Sequence, residues 1–128
     1  MPLALRELLC YDSSVQYTGR RIATGLTLHG TTLRRGDLVL ALIGSANRDP
    51  ARFTAPDTFH IGRRDGSHLS FGSGPHVCIG AGLALLEADV ILCAVIRRWS
   101  HIRLADATPV WNGNAGLRGL AHLWVDLG

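Results

Sequence analysis

The first segment of the chain has the hydrophobic periodicity of a helix. Between residues 3 and 11, Leu5, Leu8 and Leu9 fall at the spacing of one helix face, and residues 12–14, Asp-Ser-Ser, then end the pattern. No capping residue precedes this segment. The pattern therefore predicts a helix that is truncated at its N-terminal end.

Four short segments that follow have the aliphatic and β-branched composition of strands. They are residues 15–18, 22–24, 26–28 and 38–43. Turn signals separate them at His29-Gly30 and at residues 34–37, Arg-Arg-Gly-Asp. This part of the chain predicts two or three small hairpins.

The second half predicts a loop, a long helix and a closing hairpin. Residues 46–70 are rich in Asp, Pro, Arg and Gly and have no sustained period, which predicts a long ordered loop anchored by Phe53 and Phe59. Residues 80–99 predict a helix roughly 30 Å long whose apolar positions form more than one stripe, so it needs cover on several sides. Residues 102–104 and 120–127 predict the closing hairpin. We expect an α+β fold in a single domain, residues 1–128.

Composition indicates that this domain needs partners. A chain of 128 residues buries roughly two-thirds of the surface that its unfolded form exposes, so a core is possible. However, 47% of the residues are hydrophobic, only 18% are charged, and the mean hydropathy is +0.18. This is more apolar surface than a small self-sufficient domain requires.

The charge pattern argues against binding to nucleic acid. All 13 basic residues are arginines, and the formal net charge is +3. The arginine pairs are spread along the chain instead of being clustered with aromatic residues on one face. These pairs are Arg20-Arg21, Arg34-Arg35, Arg63-Arg64 and Arg97-Arg98.

Cysteine usage and the apolar runs indicate a cytoplasmic protein. The three cysteines form no C-x-x-C pair, which is typical of a reducing compartment, and the N-terminus has no signal-peptide pattern. The longest apolar run, residues 79–96, carries Glu87 and Asp89 near its middle. Two carboxylates there argue against a membrane span.

Residues 71–80, Phe-Gly-Ser-Gly-Pro-His-Val-Cys-Ile-Gly, point to a specific chemistry. They place Cys78 in a glycine-rich loop that leads into the long helix. A free thiol with a pKa of about 8.5 is mostly protonated at neutral pH, but a helix N-terminus favours the thiolate. A single cysteine with no second metal ligand nearby suits an ion that brings its other ligands, as haem iron does.

This segment resembles the haem-binding loop of the cytochrome P450 family, bacterial type. Residues 46–50, Ala-Asn-Arg-Asp-Pro, resemble the start of that family's meander, and Gly19-Arg20 resembles its strand arginine next to a haem propionate. The helix at residues 80–99 resembles the one beneath the haem. The resemblance covers nearly the whole chain and implies the C-terminal, haem-binding portion of the fold. Its parts are a truncated first helix, small β-hairpins, a meander loop, a cysteine loop, a long proximal helix and a C-terminal hairpin.

The resemblance also implies roles for individual residues. Cys78 would be the thiolate ligand and the single metal ligand of a haem b iron, Arg20 and His76 would bind propionates, and Phe71 would pack near the sulfur. Three glycines would keep the backbone close to the ring. The implied cofactor-binding residues are Arg20, Phe71, Gly72, Gly74, His76, Cys78 and Gly80. No residue is singled out as catalytic.

The chain departs from the family pattern in two respects. The family's Glu-x-x-Arg motif falls on Glu7-Leu8-Leu9-Cys10, so a cysteine replaces the arginine, and the expected ion pair is reduced to Glu7 and Arg48. The family's distal acid–alcohol pair is absent, since Asp57-Thr58 lies in the irregular loop. We therefore expect standard monooxygenation to be impaired. Cys10 and Cys93 are interpreted as small buried hydrophobic residues.

Three functions remain open at this point. The first is a shortened haem-thiolate oxidoreductase or monooxygenase homologue acting on a small molecule in a natural-product pathway, with a redox partner. The second is a haem-free enzyme that catalyses a non-redox step such as cyclisation. The third is a partner-binding module or degenerate remnant, whose apolar helix docks on a partner protein or on a second copy of the chain.

Overall fold

The computed structural model describes residues 2–106 and 108–128, which contain three α-helices. Their bounds are α1 (Pro2–Tyr11), α2 (Ile43–Ala46) and α3 (Ala81–Arg98), with one 3₁₀ turn at Gly74–His76 before α3. Both helices that hydrophobic spacing predicts are confirmed. Gly80 and Trp99 flank α3 at its two ends.

The described strands pair two by two into antiparallel ladders. They are β1 (Tyr17–Arg21), β2 (Leu26–Leu28), β3 (Thr31–Leu33), β4 (Leu38–Leu42), β5 (Arg103–Leu104), β6 (Val110–Trp111), β7 (Leu120–His122) and β8 (Val125–Asp126). The β2–β3 hairpin is inserted between β1 and β4, which pair with each other. In the tail, the β6–β7 pair is nested inside the β5–β8 pair.

The hairpin turn at residues 29–30 is confirmed, but the strand predicted at residues 22–24 is wrong. His29 and Gly30 have φ values of 45° and 80°, the pair of positive φ angles that a tight two-residue hairpin needs. Ile22 instead closes the end of the β1–β4 ladder: its N–H donates to Asp37 and its carbonyl accepts from Gly36. The chain then turns away to start β2.

The core is small and partly polar. The buried hydrophobic residues belong to α1, α2 and the long loop: Leu5, Cys10, Ile43 and Phe53. The buried polar residues are Glu7, Ser13, Asn47 and Ser70. Because buried polar groups need hydrogen-bond partners, specific bonds between α1 and the loop must hold this region together.

Helix α3 carries an exposed apolar face. None of its described residues is fully buried. Leu83 is 62% exposed, Leu86 60% and Val90 59%, and their spacing places them along one helix face. Within the described residues, no helix is both long enough and apolar enough to cross a membrane.

Candidate cofactor site

The cysteine loop is shaped by its own backbone hydrogen bonds. The Cys78 N–H donates to the Phe71 carbonyl at 2.8 Å, and the Val77 N–H donates to the Gly74 carbonyl at 3.0 Å. Gly72 and Gly74 have φ values of 75° and 77°, where any residue with a Cβ is strained. These constraints leave Cys78 exposed, three residues before α3 begins.

A cleft of about 360 Å³ lies between α1, β1 and this loop. Its polar lining includes Arg20, His76 and Cys78, and Val15 and Phe71 contribute apolar walls. Residues that are far apart in sequence therefore line the same cleft as Cys78. Five of the seven implied cofactor-binding residues line this cleft: Arg20, Phe71, Gly72, His76 and Cys78.

Gly74 and Gly80 do not line the cleft, and each has a different structural role. A Cβ built on Gly74 would meet no atom within 4 Å, so its backbone angle alone requires glycine. A Cβ on Gly80 would lie 3.8 Å from the Cys78 sulfur. Glycine at this position therefore keeps larger side chains away from the thiol.

Arg20 presents a positive charge beside the cleft. It lies on β1, and its Nη1 donates to Thr18 Oγ1 at 2.7 Å and to the Gly19 carbonyl at 2.8 Å. Both acceptors are neutral, so these bonds orient the guanidinium without neutralising it. The group is suited to bind a carboxylate or phosphate at the cleft.

His68 lies against the start of the loop. Its ring packs against the Phe71 ring with centroids 6.0 Å apart. Burial lowers the pKa of His68 below its ordinary value of 6.5, and the nearby charge of Arg6 lowers it further. Protonation of His68 is therefore less favourable in the folded chain than in the unfolded chain.

The Glu7 carboxylate is bound by Arg63, and the expected pair with Arg48 is wrong. Arg63 Nε donates to Glu7 Oε2 at 2.9 Å, and the His60 N–H donates to Oε1 at 2.8 Å. The side chains of Arg63 and Glu7 are only 8% and 2% exposed. Sequence reasoning missed Arg63 because no local spacing distinguishes it from the other arginines of the loop.

Arg48 has a separate position on the surface of the loop. Its Nη2 donates to the Tyr11 carbonyl at 2.7 Å, and its guanidinium lies 3.9 Å from the centre of the Tyr11 ring. Its Nη1 pairs with Asp57 at 2.9 Å. Asp57 and Thr58 lie in a turn, which confirms that this pair is not on a helix.

Cys10 is buried, as predicted, whereas Cys93 is only partly buried. The Cys10 Sγ donates to the Asn47 carbonyl at 3.6 Å. Burial raises the pKa of the Cys10 thiol, and the Glu7 carboxylate raises it further. Cys10 therefore remains a neutral thiol next to the buried Glu7–Arg63 pair.

The described residues hold no group of three or more His, Cys, Asp or Glu side chains arranged around a metal. The Cys78 thiol offers one strong ligand beside a cleft with cationic and apolar walls. A metal bound there would need to arrive with its other ligands in place.

Comparison with known proteins identifies the family of this chain. The family model for cytochrome P450 matches residues 1–115. The putative cytochrome P450 133B2 of Xylella fastidiosa is 44% identical, with 99% of this chain and 32% of that relative covered. The biotin biosynthesis cytochrome P450 of Bacillus subtilis is 42% identical, with 95% of this chain and 31% of that relative covered.

Solved structures show the same fold. P450BioI, in complex with hexadec-9Z-enoic acid ligated acyl carrier protein, is 40% identical with a TM-score of 0.95, over 98% of this chain and 33% of that one. CYP109E1 of Bacillus megaterium, in complex with testosterone, is 33% identical with a TM-score of 0.96, over 99% of this chain and 36% of that one. The chain spans about a third of the length of these relatives. It has a partial cytochrome P450 fold, and it belongs to the cytochrome P450 family.

Proposed function

We propose that Cys78 is the thiolate ligand of a haem iron, and that this chain is the haem-binding part of a cytochrome P450 that oxidises a small molecule. The observation that carries the proposal is the convergence of Cys78, Arg20 and His76 on one cleft. Membership of the family supports it, because the family implies a haem cofactor.

The residues present at the cleft fit such a group. Cys78 would hold the iron, Arg20 and His76 would bind the two propionates, and Phe71 would pack beside the sulfur. The open space that Gly80 leaves next to the sulfur suits a flat ring. When bound, a haem with a thiolate ligand supplies O–O bond cleavage, because the thiolate donates electron density to the iron.

The chain's own residues would prepare this site. The bond from the Cys78 N–H to the Phe71 carbonyl holds the loop closed around the thiol. Arg20 would offset the negative charge of a carboxylate that comes out of water. Leu9 and Val15 line the cleft from α1 and the segment that follows it, and would keep water from one side of the ring.

The substrate class is proposed from the relatives. Two similar proteins are named for biotin biosynthesis and polyketide biosynthesis, and one similar structure holds a fatty acid on an acyl carrier protein. We propose a small biosynthetic substrate, with electrons from a redox partner in the cytoplasm. The other two-thirds of a cytochrome P450 fold would complete the substrate pocket.

A second candidate is an assembly role for the exposed face of α3, Leu83, Leu86 and Val90. Each of these side chains is about 60% exposed. An apolar face of this kind is typical of a protein interface. This role is compatible with haem binding, since the face would pack against the rest of a cytochrome P450 fold, against a partner protein or against a second copy.

Absorption spectroscopy tests the haem-thiolate proposal. The full chain is loaded with haem b, reduced, and exposed to carbon monoxide, and the variant Cys78→Ser is compared with Cys93→Ser. We expect a thiolate-type spectrum that Cys78→Ser abolishes and Cys93→Ser retains, because Cys93 lies on α3 and not in the cleft. A wild-type spectrum without the thiolate band, or one unchanged by Cys78→Ser, would contradict the proposal.

A further inference from the structure

Asn47 lies at the centre of a buried polar network. Its side chain is 2% exposed, and Ser13 and Ser70 beside it are also buried. Asn47 Nδ2 donates to Ser13 Oγ at 2.7 Å and to Ser70 Oγ at 3.0 Å, and Asn47 Oδ1 accepts from the Leu69 N–H at 2.8 Å. Both amide protons and the amide oxygen therefore have partners.

The directions of these bonds follow from the donors available. Ser13 Oγ donates to the Leu9 carbonyl at 2.9 Å, and Ser70 Oγ donates to the same carbonyl at 2.7 Å. Because an amide nitrogen can only donate, both serine oxygens accept from Asn47 Nδ2. The Leu69 N–H can only donate, so the amide oxygen must face it. The amide orientation is therefore fixed, while Ser13 Oγ and Ser70 Oγ, which lie 3.1 Å apart, can also donate to each other.

This network is connected to the cysteine loop through the backbone. Asn47 binds Leu69, and the Leu69 carbonyl accepts from the Gly72 N–H at 2.7 Å. Two residues after Leu69, the Phe71 carbonyl accepts a hydrogen bond from the Cys78 N–H at 2.8 Å. A short series of bonds therefore links the Asn47 amide, which directly follows α2, to the residue that carries the thiol.

We propose that Asn47 is a positioning residue for Cys78: it fixes the start of the cysteine loop against α1 and so sets where the sulfur lies in the cleft. This inference rests on the proposed role of Cys78 as the iron ligand. Without the amide, the Leu69 N–H and the Ser70 hydroxyl each lose a buried partner. Within this network, the loop then keeps only the bond from Ser70 Oγ to the Leu9 carbonyl as its link to α1, which allows it to shift more easily.

The chain offers a matched control. Ser13→Ala removes a buried hydroxyl, with its contact to Ser70 Oγ, from the same network. It leaves the bond from the Leu69 N–H to Asn47 Oδ1 and the bond from Asn47 Nδ2 to Ser70 Oγ. Ser70→Ala instead removes one link between the loop and α1, and it keeps the amide. If the Asn47→Ala variant does not fold, Ser70→Ala carries the test.

Hydrogen exchange of the full chain, read by mass spectrometry without haem, measures the effect on the loop directly. Asn47→Ala and Ser70→Ala should speed amide exchange in residues 69–78 by roughly threefold to tenfold, the effect of losing one net hydrogen bond. Ser13→Ala should leave exchange in these residues unchanged. Equal loop exchange in Asn47→Ala and Ser13→Ala would overturn the proposal.

The haem-loaded variants then separate this inference from the function on which it rests. At equal haem content, Asn47→Ala should show a smaller fraction of the thiolate-type carbon monoxide spectrum than Ser13→Ala does. Equal fractions would overturn the role of Asn47 while leaving the haem proposal intact. A wild type without the thiolate spectrum would reject Cys78 as the ligand, and with it the positioning role.

Discussion

Arg63 is a buried cation whose removal should destabilise the whole loop between α2 and the cysteine loop. Beyond its bond to Glu7, it donates to backbone carbonyls along this loop. Those carbonyls belong to Thr54, Ala55 and Thr58. Arg63 also pairs with Asp65 at 3.5 Å. Arg63→Ala therefore removes two ion pairs and three bonds to backbone carbonyls that define the course of the chain.

The size of the effect follows from burial. The Glu7 side chain is 2% exposed, and without Arg63 it would keep the bond from the His60 N–H but lose its countercharge. Leaving such a charge uncompensated costs about 3–5 kcal/mol. Small domains are stable by about 5–15 kcal/mol, so this loss is a large fraction of the total.

Urea unfolding of the full chain, followed by circular dichroism, measures this loss. With an m-value of about 2 kcal/mol per M, Arg63→Ala should lower the midpoint by about 2 M. The matched control is Asp57→Asn, which breaks the ion pair between Arg48 and an aspartate whose side chain is 88% exposed. That pair contributes less than about 1 kcal/mol.

A double substitution isolates the charge. Adding Glu7→Gln to Arg63→Ala removes the uncompensated carboxylate, so the double variant should be more stable than Arg63→Ala alone. The reasoning fails if Arg63→Ala unfolds at the same urea concentration as Asp57→Asn. It also fails if adding Glu7→Gln to Arg63→Ala does not raise the urea midpoint.

Three further predictions concern the loop, the buried histidine and α3. Gly74→Ala should lower the free energy of unfolding by about 1–2 kcal/mol, measured by thermal unfolding, because the φ of Gly74 is 77°. Gly80→Ala should be nearly neutral because the φ of Gly80 is −86°. Equal losses of stability in the two variants would contradict the backbone argument. The pKa of His68 is lower in the folded chain than its ordinary 6.5, so the unfolded chain binds more protons and stability should fall as pH drops below about 6.5. His68→Gln should weaken the dependence of the unfolding free energy on pH, measured by urea titrations at several pH values. An unchanged dependence would show that other groups cause it. Leu86→Glu should reduce self-association of the chain in light scattering, since this side chain is 60% exposed on the apolar face; unchanged association would place the contact elsewhere.

Some of the site could be predicted from local sequence. The loop around Cys78 combines two glycines at positive φ with a helix that starts three residues later, and both signals lie within the same short segment. The family resemblance predicts Arg20 and His76 near the thiol, and both residues line the same cleft as Cys78. The strand predicted at residues 22–24 is wrong because Ile22 ends the β1–β4 ladder. Its hydrogen-bond partners, Gly36 and Asp37, lie on the far side of the inserted β2–β3 hairpin.

The sequence by itself determined the helices, the hairpin turn at residues 29–30, the cysteine loop and the family, because periodicity and glycine angles depend on near neighbours. Only the tertiary structure decided that Arg63, 56 residues away, neutralises Glu7, and that Asn47 reaches the start of the cysteine loop. Several arginines and polar residues of the loop have equivalent local surroundings. Which of them becomes buried next to a given partner depends on how distant segments pack, since a buried charge or amide is stable only where its partner is present.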